Sequence, residues 1–231
     1  MTAVLGWDRA ESIDDVLERM ASIESTLPHD DGVAYFNRMY AEVTRLVSVA
    51  VDGQEFEAGE FLARLDVHFA NLFFAAYAAD LAGTKISPAW APLFEGRKRE
   101  KTLPVQFALA GMNAHICHDL PMAVVDTCQE IDVVPACDTP QHTDFTRTND
   151  VLADAQEEIK LWFSTGVVAT VDRLGGRVDD GFAAFGIHAA RAAAWTTSEI
   201  LWGLTDNPRL DDLFRRGLRH TVELTSRGIL L

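Results

Sequence analysis

Residues 65–79 read Leu65-Asp66-Val67-His68-Phe69-Ala70-Asn71-Leu72-Phe73-Phe74-Ala75-Ala76-Tyr77-Ala78-Ala79, apolar on nearly every side of a helix. Such a pattern predicts a helix surrounded by other helices, here over about Glu57 to Leu81. The run falls short of the roughly 20 apolar residues of a membrane span, and Asp66, His68 and Asn71 interrupt it. Arg191 and Glu199 break the other greasy stretch in the same way. The segment therefore predicts a buried central helix in an all-α bundle of about seven helices.

Toward the N-terminus, Ser12 with Asp15 three residues on has the form of a capping box, and Ile13, Val16, Leu17, Met20 and Ile23 repeat at helical spacing. A second amphipathic helix starts near Asp30-Asp31 and closes at Asp52-Gly53. Toward the C-terminus, Pro88, Pro92 and Gly96 with Trp90, Leu93 and Phe94 predict an irregular loop over 83–99, pinned by aromatic residues. A fourth helix is expected from near Pro104 to Asp119, where Pro121 disfavours continuation and begins a short helix of its own. Long helices over about Asp144 to Leu174, stopped by Gly175-Gly176, over about Asp180 to Leu204, and over about Asn207 to Gly228 complete the chain. No period-two alternation between hairpin turns is present, so strands are not expected.

With 231 residues, 48% of them apolar, the chain is long enough for one large domain, expected over 1–231. Its net charge of −15 opposes binding to nucleic acid or an anionic membrane, and only the patch Arg97-Lys98-Arg99-Glu100-Lys101 runs against it. The first residues lack a basic segment followed by an apolar one, which points to a cytoplasmic protein. Cys117, Cys128 and Cys137 are odd in number and lack CxxC spacing, so reduced thiols are expected rather than disulfides or a zinc knuckle.

The segment richest in chemistry is Asn113-Ala114-His115-Ile116-Cys117-His118-Asp119. At 100° per residue His115, His118 and Asp119 share a face with Gly111 and Ala108, while Cys117 points away. The small residues either admit another helix closely or leave room for a ligand. His115 and His118 could bind a divalent metal with Asp119, or Asp119 could orient a histidine acting as acid or base. Simple helix-end electrostatics is the bland alternative.

Buried polar residues need partners, so Asp66, His68 and Asn71 demand explanation. Asp66 shares a face with Phe69, Phe73 and Tyr77, about 200° from His68, and is expected to reach the His115 helix. His68, with Leu72 and Ala75 on its side, is a candidate for substrate contact. His188, Arg191, Trp195 and Glu199 occupy one broad face of a late helix. Arg191 either meets a substrate anion or, the reading favoured by spacing, pairs with Glu199. Asp144, Arg147 and Asn149 open a helix, where an acidic residue typically caps. No Gly-rich phosphate loop, GxSxG elbow or dinucleotide fingerprint occurs.

The string Gln106 to Pro121, with its core Gly111-Met112-Asn113-Ala114-His115-Ile116-Cys117-His118-Asp119-Leu120-Pro121, resembles an uncharacterised, mostly actinobacterial family known only as a domain of unknown function. The likeness extends to Leu65-Asp66, Pro88-Ala89-Trp90 and 144–149. Cys117 stands where that family usually has Asn, and His68 where an apolar residue is more usual. The resemblance implies a shared fold and no activity; association places such proteins among accessory enzymes of specialised metabolism.

The leading expectation is an enzyme, an isomerase or cyclase, that holds a largely apolar small molecule between helices without a cofactor. His115 serves as acid or base, Asp119 and Asp66 orient it, His118 assists, and His68, Gly111, Arg191 and Trp195 contact substrate. The alternatives are a hydrolase with a metal on His115, His118 and Asp119, completed by His68 or Asp66, and a non-catalytic carrier.

Overall fold

The computed structural model describes residues 9–53, 56–165 and 186–231, the side chains of 154–165 excepted. Among the described residues the regular structure is helical, with no strand. Ile13–Thr26 forms α1, Gly32–Asp52 α2 and Gly59–Leu81 α3. Both halves of the capping box at α1 are made: the Ser12 hydroxyl accepts from the Asp15 amide, and the Asp15 carboxylate accepts from the Ser12 amide. Asp31 caps α2 by accepting from the Val33 amide at 2.8 Å, and also holds Arg97.

The stretch expected to be an irregular loop contains a short helix, α4, over Ala91–Gly96. Pro92 sits in its first turn, where a missing N–H costs nothing, so the proline that signals a loop here helps to start a helix. Trp90, Leu93 and Phe94 are buried and fasten the segment to the interior.

Pro104–Ala114 forms α5, but the helical path does not stop at Asp119. A π turn over His115–Asp119 carries it into α6, Leu120–Glu130. The turn is closed by the Leu120 amide bonding the His115 carbonyl, one residue wider than an α-turn. In a regular helix the Pro121 ring would collide with the carbonyl four residues back. The wider turn makes room for it, so the proline marks a π turn instead of a break.

Pro140–Thr165 forms α7, Ile187–Leu204 α8 and Pro208–Ile229 α9. Helix α7 starts ahead of the expected Asp144. Asp144, buried, caps a different helix: it accepts from the Ala58 amide at the entrance to α3. The expected start near Asp180 and the stop at Gly175-Gly176 lie outside the described residues.

The most enclosed stretch is α5, where every residue from Phe107 to His115 is buried. Helix α3 buries Leu65, Asp66, Phe73 and Tyr77 against its neighbours while Ala75 on its far side is exposed. One apolar cluster gathers Phe36, Phe73, Trp90 and Phe107, another Phe61, Leu120, Phe145 and Trp195. Phe69 and Ile116 pack against both, so the interior is continuous through the level of the π turn. No described helix is long and apolar enough to cross a membrane.

Candidate active site

The π turn gathers a network around one buried carboxylate. Asp119 Oδ2 accepts from the Trp90 indole N–H at 2.8 Å and lies 3.2 Å from His115 Nδ1, and Asp119 Oδ1 lies 2.7 Å from His118 Nδ1. A carboxylate only accepts, so Nδ1 of His115 carries the proton and Nε2 keeps its lone pair. Burial pushes the Asp119 carboxyl up, but the hydrogen bonds from His115 and His118 outweigh it and hold the carboxyl below the usual range. Burial lowers the His115 pKa, and the Asp119 contact only partly offsets this, so the ring is neutral at pH 7. The contact is therefore a hydrogen bond that fixes tautomer and orientation.

Aromatic rings lock the imidazole in place. Phe69 stacks on it with centroids 3.4 Å apart and planes 7° from parallel, and Tyr40 meets it edgewise at 4.4 Å. Trp90, which holds Asp119, lies 5.8 Å from the same ring.

His115 forms part of the wall of a cavity of about 110 Å³, mostly apolar, to which Phe36, Leu62, Leu65, Phe69 and Leu120 contribute. Four further residues bring polar groups to that wall: Tyr40, Asp66, Thr148 and Arg191. Among the described residues, His115 Nε2, Asp66 Oδ2 and Tyr40 Oη are buried without a hydrogen-bond partner. Buried polar atoms are nearly always paired, so three orphans on one cavity mark a place built to meet a ligand. Burial pushes the Asp66 carboxyl up to about 7 and, aided by the charges of Asp66 and Asp119, the Tyr40 hydroxyl well above its ordinary range. The wall thus offers a neutral base, a carboxyl poised to hold a proton and a hydroxyl donor.

A family model described as "Family of unknown function (DUF5995)" matches residues 13–231. The chain belongs to this family. No curated protein and no solved structure matches it. Membership in DUF5995 brings a shared fold with it and leaves the chemistry to be argued from the site.

In this DUF5995 member the other residues singled out in the sequence go to different places. Asp66 reaches the cavity, but no hydrogen bond joins it to His115. The interaction expected there is replaced by a shared wall. Gly111 does not open space for a ligand: Phe36 fills it, and a Cβ at Gly111 would sit 2.3 Å from Phe36 Cδ2. His118 supports Asp119 from outside the cavity wall. His68 turns to the surface, against Glu130 and Arg9. Trp195 packs on Phe145 and donates to Glu199 at 3.2 Å. Arg191 does not pair with Glu199. It donates instead to Asn149 Oδ1, the Phe145 carbonyl and Thr148 Oγ1 at 2.8, 2.7 and 2.6 Å, tying α8 to α7.

Cys117 lies outside the cavity wall, its thiol pushed up to about 11 by burial. Among the described residues no three His, Cys, Asp or Glu side chains form a metal-binding group. His115 and His118 spend a nitrogen each on Asp119. The residues that sequence reasoning missed are Trp90 and Tyr40. The only trace of Trp90 was a large indole, needing an acceptor, in a proline-bounded segment. That of Tyr40 was a lone hydroxyl on the apolar stripe of α2.

Proposed function

We propose that this protein is an isomerase that moves a proton within a small, largely apolar molecule held in the cavity, with Nε2 of His115 as the base. The observation that carries this reading is the pairing of a tethered Nδ1 with an unpartnered, buried Nε2 on an apolar cavity. Nε2 takes a proton from a carbon made acidic by an adjacent carbonyl or double bond. The electron pair left behind shifts through that group, and a proton is delivered at the new position by the Asp66 carboxyl or by His115 itself. No atom is gained or lost overall, so neither water as a reactant nor an oxidant is required. When Asp66 is the donor, the proton on His115 returns to that carboxyl by way of solvent before the next turnover. Asp119 stabilises the imidazolium as it forms, and Trp90 and His118 hold Asp119. The setting we propose is the cytoplasm, where the free thiols of Cys117, Cys128 and Cys137 stay reduced.

The test uses a panel of small unsaturated acids, ketones and esters in D₂O, with deuterium incorporation read by NMR. Wild-type protein is expected to exchange one class of compound, and His115→Gln to lose that exchange while keeping its helical circular dichroism. Exchange that persists in H115Q, or a panel that binds without exchanging, overturns the proposal, as does a panel that neither binds nor exchanges.

A further inference from the structure

Proton transfer leaves Arg191, a basic side chain of the cavity wall, without a role. Arg191 is 8% exposed, and its Nε and Nη2 are consumed by Asn149, Phe145 and Thr148. No acceptor among the described residues takes the protons of Nη1, and no carboxylate among them pairs with the guanidinium. Its described neighbours supply dipoles and the ring of Phe145, 4.3 Å from the guanidinium carbon. Burial lowers its pKa to about 10, which still leaves it charged at neutral pH. A buried cation without a counter-charge costs several kcal/mol. Three hydrogen bonds would suffice to tie α8 to α7, yet the leftover nitrogen belongs to a residue of the same apolar wall as His115.

The acid that shares this wall is at most a partial counter-ion. Asp66 is driven toward its neutral form by burial, and no Arg191 contact pulls it back. Among the described residues of the wall, positive charge is therefore in excess, although the whole chain carries −15. One guanidinium nitrogen, with two protons to donate, suits a monoanion. A phosphate dianion would need more donors than the wall provides.

We infer that the ligand of the cavity is a short-chain carboxylic acid bound as its anion, with the carboxylate on Nη1 of Arg191 and the hydrocarbon toward Nε2 of His115. This rests on reading the cavity as the binding site and is independent of whether a proton moves there. Size narrows the class. An apolar cavity of about 150 Å³ accepts benzene, so one of about 110 Å³ takes a hydrocarbon body of roughly four or five carbons. Because a carboxylate anion hardly acidifies its neighbouring carbon, the hydrogens open to a base in an acid of that kind are those allylic to a double bond or beside a second carbonyl group.

The experiment is calorimetric titration of wild-type protein at neutral pH with butanoate, pentanoate and hexanoate, each beside the primary amide and the alcohol of equal length. The carboxylates are expected to bind about tenfold tighter or more than their neutral partners. Arg191→Met should lose that preference while still binding the alcohols as wild type does, and Arg191→Lys should keep part of it. Equal affinities of acid, amide and alcohol for wild-type protein overturn the inference, and this comparison needs no variant to fold. A carboxylate preference that survives R191M also overturns it. Carboxylate binding without deuterium exchange defeats the isomerase and leaves the anion site standing, whereas exchange of neutral ketones without carboxylate preference does the reverse. If none of the compounds binds, both fall.

Discussion

Asp66 should make the protein's stability depend on pH in a manner opposite to that of a paired carboxylate, and replacing it by Asn should remove that dependence. Asp66 has a folded-state pKa of about 7 against 3.8 for the free side chain, because burial disfavours its charge and no partner compensates. Between those values the folded state keeps a proton that the unfolded state has lost. The favourable contribution is complete below the unfolded value and disappears as pH rises through the folded one. A gap of about three units, at about 1.4 kcal/mol each, makes the wild type about 4 kcal/mol less stable at pH 8.5 than at pH 3.5 through this residue alone. That is a large share of the 5–15 kcal/mol typical of a folded domain.

Asn cannot ionise, so D66N lacks this term while sharing the other titrations. Urea denaturation of both proteins at pH 4, 5.5, 7 and 8.5 isolates it. The stability of D66N relative to wild type should climb with pH, steepest between about 4 and 7, by about 4 kcal/mol in all. Whatever constant offset the amide introduces, only the slope matters. A difference that stays flat across this range refutes the argument, since it would mean that Asp66 is ionised in the folded state at no cost.

Gly111→Ala places a methyl carbon 2.3 Å from Phe36 Cδ2, and an overpacking cost of about 1–3 kcal/mol should exceed the roughly 1 kcal/mol of helix propensity regained. The urea midpoint is expected to fall and hexanoate to bind more weakly as Phe36 moves toward the cavity; an unchanged or raised midpoint contradicts this. The rate of deuterium exchange should follow a bell in pH. It rises through a pKa below the ordinary histidine value, as His115 loses its proton, and falls near 7 as Asp66 loses its own. Activity that keeps rising to pH 9 removes Asp66 from the reaction.

Much of the architecture was legible because it is local. The box at Ser12 and Asp15, the apolar stripes of α1 and α2 and the start of α9 near Asn207 follow from residues a few positions apart. His115 and Asp119 were paired from spacing alone, and they do meet. What spacing could not reveal was the contacts that cross the fold. The acceptor of the Trp90 indole lies 29 residues further on, and those of Arg191 lie on a preceding helix, out of view of any rule relating it to Glu199. Pro121 and Pro92 carry the same lesson in opposite directions, since a proline reports only that a regular turn is costly. Whether the chain stops, starts or widens there depends on what surrounds it. Gly111 was correctly recognised as space, but only the position of Phe36 decides who fills it.

The π turn at His115–Asp119 also bears on how the length of the segment matters. A wide turn amounts to one inserted residue in an otherwise continuous helix. Deleting one residue from the turn would restore the ordinary spiral and swing the whole of α6 by about 100° about its axis. Val124 and Cys128, now fully buried, would leave the interior, and exposed positions such as Asp126 would turn toward it. Insertions and deletions should therefore be tolerated far less here than substitutions. The residue count between His115 and Asp119 sets the orientation of everything downstream.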